Sequence, residues 1–251
     1  MEPPVQHSWV YLRKGLDVVR AALGPTLIVV LVWAILTNVA ATLCLVPLLV
    51  VGGPLTGGLY LFFAKRLFGV GGDLTDLFLG FRRFGSTTVV YIVATVVFFA
   101  VLIVLAAPLG IVDVLGLVDT DHFEAMPVVA QIVLGGWSLL VLVLAATATG
   151  VVFTFGMPFA LFDPAPGAWR RALGASRAHL GRVLALNLWA ALFVVAATAA
   201  GVLLCLVGVL VLQPLALGAV VVAHLALVRD TTGLDSSDLA PFQPTAAPLP
   251  A

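Results

Sequence analysis

Four stretches of this chain, residues 21–64, 84–112, 125–162 and 183–228, contain no Asp, Glu, Lys or Arg. A soluble domain needs charge on its outer face, whereas a helix crossing about 30 Å of hydrocarbon needs roughly 20 apolar residues at about 1.5 Å per residue. Composition agrees, with 62% apolar and 10% charged residues, against roughly 45–50% and 25% in soluble domains. The expected fold class is therefore an all-α, polytopic transmembrane helical bundle. Its 12 basic and 12 acidic residues cancel, so no overall basic field points to nucleic acid.

The first and last uncharged stretches each hold two crossings, and the second holds one. The third accommodates two short helices, or one tilted helix with a surface segment, and the basic residues decide between them. With six crossings every Lys and Arg falls on one side; a seventh would move Arg170, Arg171, Arg177 and Arg182 to the other. The positive-inside tendency selects six, at about 25–45, 47–64, 86–107, 131–161, 183–205 and 208–228. Both termini are then cytoplasmic, together with eight of the 12 acids. The outer connection at 108–130 keeps Asp113, Asp119, Asp121 and Glu124. The first 24 residues carry Arg13, Lys14, Asp17 and Arg20, unlike a cleavable signal, so the first span reads as an uncleaved anchor.

The spans group as three hairpins, each preceded by an amphipathic segment. Residues 1–24 place Trp9, Leu12, Leu16, Val19 and Leu23 on one face; the second segment does so with Leu74, Leu77, Phe78, Phe81 and Phe84; the third with Trp169, Leu173, Ser176 and Leu180. Helices of this kind lie in the interface with their cations toward phosphate. Arg13, Lys14, Arg82, Arg83, Arg170 and Arg171 are thus expected to contact lipid headgroups, anionic lipids among them. The first and third hairpins echo one another: Leu43 to Val46 repeats at Leu204 to Val207, followed by Pro54, Leu55 and Gly58, and by Pro214, Leu215 and Gly218. Beyond Val228 the polar, proline-rich stretch 229–251 reads as a disordered cytoplasmic tail.

No carboxylate, Lys or Arg lies within a span, which disfavours a carboxylate proton relay. His224, near the inner end of the last span, reads as a hydrogen-bonded or snorkelling residue. Asn38 and Gln213 fall at similar outer depths and suggest an interhelical hydrogen bond or a small polar site, while Asn187 sits near the inner end of its span. Pro54, Pro158 and Pro214 occupy the three even-numbered spans, where each frees a backbone carbonyl and could border the same site. Gly53 with Gly57, Ala146 with Gly150, and Ala197 with Gly201 permit close helix packing. The outer run Asp119 to Glu124 lacks the glycine turn of a calcium loop and reads as a solvated acidic segment. Cys44 and Cys205 have no metal-knuckle spacing. No cofactor, metal site or catalytic constellation emerges, and the expectation is a non-enzymatic protein.

Three motifs add a resemblance. Gly53-Pro54-Leu55-Thr56-Gly57-Gly58-Leu59-Tyr60, Asp76-Leu77-Phe78-Leu79-Gly80-Phe81-Arg82-Arg83-Phe84 and Trp169-Arg170-Arg171-Ala172-Leu173-Gly174-Ala175-Ser176-Arg177 resemble those of a broad group of bacterial six-helix membrane proteins. That group includes the membrane domain fused to some glycerophosphodiester phosphodiesterases. The resemblance implies the hairpin architecture and the interfacial helices, and it implies no catalysis, since the phosphodiesterase domain has no counterpart here; the expected location is the bacterial inner membrane. The combined expectation is a lipid-interacting scaffold or accessory subunit, whose partners are membrane lipids and a membrane protein or a second copy of the chain. The competing reading is a small-solute or lipid transporter with its site between the proline-containing spans. A lipid-headgroup enzyme using the arginines ranks third.

Overall fold

The computed structural model describes residues 8–114, 128–163, 165, 167–204 and 207–242. Their regular structure is entirely helical: α1 (Ser8–Ala21), α2 (Leu23–Leu43), α3 (Leu45–Leu67), the short α4 (Asp76–Leu79) continued by a 3-10 turn (Gly80–Arg83), α5 (Phe84–Val114), α6 (Val128–Phe162), α7 (Ala168–Ala178), α8 (Leu180–Leu203), α9 (Val207–Thr232), and a terminal 3-10 segment (Ser236–Phe242). Six helices, α2, α3, α5, α6, α8 and α9, are long and apolar enough to cross a membrane. The protein is a multi-pass membrane helical bundle.

The spans exceed the expected limits at several ends. In particular, α6 is one continuous helix of 35 residues, about 52 Å long at 1.5 Å per residue. It outreaches the hydrocarbon, which resolves the two readings of that stretch in favour of a single helix. The acidic run 119–124, Cys205 and residues 243–251 lie outside the described residues.

Packing follows a cyclic plan. The six spans form a closed ring in the order α2, α3, α5, α6, α8, α9, while α3, α6 and α9 also touch one another across the middle. Each amphipathic helix leans on the second helix of a neighbouring hairpin: α1 on α9, α4 with its 3-10 turn on α3, and α7 on α6. The unit suggested by the echo between hairpins one and three therefore occurs three times in the architecture. Burial differs sharply around the ring. In α3 and α9, 67% of the apolar window is buried, against 11% in the span containing α5. Lipid tails solvate the outer face of α5, so its unbroken apolar surface needs no protein cover.

Glycines set the closest contacts. A Cβ on Gly58 would fall 1.9 Å from the Leu77 carbonyl oxygen, one on Gly80 2.0 Å from the Pro54 oxygen, and one on Gly15 2.2 Å from the Ala219 oxygen. The first two lie in the Gly53–Tyr60 and Asp76–Phe84 motifs, which thus form the two halves of one backbone-to-backbone contact. Gly15 also corrects the expected face of α1. Tyr11, Leu12, Gly15 and Val19 are buried, whereas Trp9 and Leu23 are exposed. The helix turns its smallest residue toward α9, because close backbone approach outweighs burial of the larger side chains when lipid can cover those. Exposed Phe78, Phe81, Phe84 and Trp169 similarly leave an aromatic belt at the basic end.

Residues 229–242, expected within a disordered tail, are packed. α9 continues to Thr232, and the terminal 3-10 segment buries Leu239 and Phe242. Phe242 meets Phe162 edge-on at 6.1 Å, and Arg82 donates to the Pro241 carbonyl at 2.9 Å. Two apolar side chains, spaced to reach the base of the bundle, overcome the polar composition around them.

Candidate functional site

Inside the ring lies a cavity of about 780 Å³ to which all six spans contribute, including Trp33, Tyr91, Phe98, Leu139, Ala191 and Leu217. This volume falls within the roughly 300–1,000 Å³ typical of small-molecule sites. It is elongated: the lining runs from His224 to Gln213 on α9, eleven residues or about 16 Å, and from Phe153 to Leu139 on α6, fourteen residues or about 21 Å. Its walls are mostly aliphatic and aromatic; Tyr60, Asn187 and His224 line it toward the basic end, and Thr198 and Gln213 line the far half.

That polar floor is one hydrogen-bonded chain drawn from four helices. Asn187 of α8 donates through Nδ2 to the Val183 carbonyl at 2.8 Å and to Thr154 Oγ1 at 2.9 Å. Thr154 of α6 donates in turn to the Gly150 carbonyl at 2.8 Å. The Asn187 Oδ1 faces His224 Nε2 of α9 at 3.0 Å, and His224 Nδ1 lies 2.7 Å from the Tyr60 hydroxyl of α3. All four residues are buried, and Thr154 is fully so. Buried polar groups need partners, and here every side chain has one on another helix or on the backbone.

The direction of these bonds is determined. A backbone carbonyl only accepts, so the Val183 oxygen fixes which end of the Asn187 amide is nitrogen, and Oδ1 must be the end facing His224. His224 Nε2 therefore carries a proton. An imidazolium would be a buried charge with no acidic side chain lining the cavity or bonded to the ring, at prohibitive cost, so the ring is neutral and Nδ1 is an acceptor. Tyr60 donates its proton to Nδ1. The chain runs from Tyr60 through His224 and Asn187 to Thr154 and Gly150, with every proton committed.

Gly150 makes this geometry possible: a Cβ there would lie 2.0 Å from Asn187 Oδ1. The Ala146 and Gly150 spacing read as helix packing thus also holds open the seat of a side-chain amide. Trp33 Nε1 adds a long contact, 3.4 Å, to Thr56 Oγ1 on the α2 side.

The residues singled out in the sequence are distributed differently. Gln213 lines the far half of the cavity. Asn38 is exposed and its Nδ2 donates to the Ala34 carbonyl of its own helix at 2.7 Å, so the two amides are not joined. Pro54, Pro158 and Pro214 are buried, but α3, α6 and α9 run unbroken through them, and none lines the cavity. His224, expected to be hydrogen bonded or snorkelling, is hydrogen bonded. Tyr60 was not singled out at all. A signal for the cluster does exist: Tyr60, Asn187 and His224 each stand five residues inside the basic residue flanking their helix, Lys65, Arg182 and Arg229.

The basic end is more internally satisfied than a free headgroup-binding surface. Arg82 holds Pro241, as above, and Arg171 donates to Asp163 at 2.6 Å, holding that carboxyl below its ordinary range. Arg13 and Arg170 are exposed, Lys14 and Arg83 half-buried. No group of three or more His, Cys, Asp or Glu side chains able to hold a metal occurs among the described residues. Comparison of the chain with protein-family models, curated proteins and solved structures returned no match.

Proposed function

We propose that this is a non-enzymatic protein of a bacterial inner membrane that takes a lipid-like molecule into the cavity between its spans, as an accessory or carrier protein in lipid handling. The observation that carries this reading is an elongated apolar cavity inside the bilayer region, closed at one end by a neutral, fully bonded polar cluster. An apolar chain gains by leaving no void in such a space, while a small polar head can meet the floor. The relation to the membrane domains of glycerophosphodiester phosphodiesterases belongs to this proposal and rests on the three sequence motifs. Lipid headgroups outside the bundle would meet Arg13, Lys14, Arg83 and Arg170 most readily, and a membrane-protein partner or second copy would dock from the bilayer.

Filling the cavity tests the reading. Ala146 lines it on α6, and Ala146→Phe places a ring in the space. Radiolabelled 1-hexadecanol should bind the detergent-purified wild-type chain saturably, and Ala146→Phe should weaken that binding at least tenfold. Equal, non-saturable uptake by both proteins would refute it.

Orientation is part of the proposal and rests on the positive-inside tendency. Cys44 is exposed in the short turn between α2 and α3, at the end opposite the basic residues. In a Cys205→Ser background, a membrane-impermeant maleimide should label Cys44 in intact spheroplasts. Labelling only after permeabilisation would invert the topology.

A further inference from the structure

The hydrogen-bond direction in the cavity floor restricts what head a ligand can carry. The Tyr60 proton is spent on His224 Nδ1, the His224 proton on Asn187 Oδ1, and both Asn187 amide protons on Thr154 and Val183. None of these four side chains has a donor left over; the hydroxyls of Tyr91 and Thr56 and the Gln213 amide, which also line the cavity, stand outside this chain. What remains is acceptor capacity: the lone pairs of Tyr60 Oη and the second lone pair of Asn187 Oδ1. Tyr60, Asn187 and His224 all line the cavity.

From this we infer that the cavity selects a single-chain lipid alcohol, an apolar chain ending in a neutral hydroxyl that donates to Tyr60 Oη; the inference rests on the cavity reading above. A carboxylate or phosphate would bring only acceptors to this cluster and a charge to a cavity lined by no Lys or Arg, and a ketone, ester or ether would oppose lone pair to lone pair at Tyr60 and Asn187. An ammonium head would donate, but no acidic side chain lines the cavity to balance its charge. The cavity's length of about 16–21 Å and its mostly aliphatic and aromatic walls suit one chain. At the far end Gln213 lines the cavity without a hydrogen-bond partner among the described residues, and can serve a second polar group along the chain.

The test is competition against radiolabelled 1-hexadecanol on the full chain in detergent, using unlabelled 1-hexadecanol, its methyl ether and hexadecane. The ether keeps the chain and the oxygen but cannot donate. The alcohol should compete about tenfold better than the ether, the ratio expected of one neutral hydrogen bond and its lost alternative. His224→Leu supplies a second readout: with Nδ1 gone, the Tyr60 proton is free to point into the cavity, and the preference should fall to parity or reverse toward the ether. If His224→Leu does not fold, the wild-type ratio still decides. Equal competition by all three compounds would overturn the polarity argument while leaving the cavity reading standing. Absence of saturable hexadecanol binding would overturn both.

Discussion

Gly58→Ala should cost about 3 kcal/mol of stability or more, at the upper end of what overpacking a close contact exacts. The added methyl would lie 1.9 Å from the Leu77 carbonyl oxygen, 2.4 Å from its carbon and 2.6 Å from its Cα. All three are backbone atoms, so no rotamer change relieves the clash; α4 must move as a body away from α3. That motion would also disturb the reciprocal seat of Gly80 against Pro54. A glycine with nothing within 4 Å, such as Gly136 on α6, gives the control. Gly136→Ala removes a poor helix former and should be neutral or stabilising by up to about 1 kcal/mol. Thermal unfolding of the two variants in the same detergent separates a steric cause from a propensity cause, and equal midpoints would remove the contact from the account.

The second large effect is expected at the basic end of α3. Lys65 there forms an ion pair with Asp76 at the start of α4, and both are buried, with 8% and 1% exposure. Asp76 also accepts the Asp73 backbone amide at 3.0 Å, directly after the turn carrying Gly69 and Gly71 at positive φ. Asp76→Ala strands a buried ammonium and should destabilise the fold by about 3–5 kcal/mol. Removing both charges with Lys65→Met and Asp76→Leu should recover most of that loss, since a buried pair contributes little more than apolar residues of similar volume. A double variant as unstable as Asp76→Ala would show that the turn, and not the stranded charge, carries the effect. Lys65 was legible in sequence as one of the basic residues that orient the chain; its burial was not, because its partner lies across a glycine-rich turn.

The same contrast runs through the whole molecule. Span number and the three-hairpin grouping were readable because charge-free length and basic flanks are one-dimensional signals. Helix rotation was not, because a span such as α5 is apolar on every side and its pattern does not say which face meets protein. The small residues held that information: Gly15, Gly58 and Gly80 mark the faces where backbones meet. The candidate site was partly legible in the same way. His224 and Gln213 stood out as polar residues in hydrocarbon, and both line the cavity. Asn187 looked peripheral by its place near the end of a span, yet joins α6 and α9. Tyr60 was hidden inside a motif read for its glycines and proline. Asn38 looked equivalent to Gln213 by depth, but depth says nothing about facing, and its amide is satisfied by its own helix.

The central claim is that the space between the spans is a binding site for one lipid-like molecule. Native mass spectrometry of the full chain released from detergent tests it most directly. The wild-type protein should carry a single bound apolar molecule at near one-to-one stoichiometry, and Ala146→Phe should fly as the bare chain. A bare wild-type chain, or an adduct that persists unchanged in Ala146→Phe, would contradict the account.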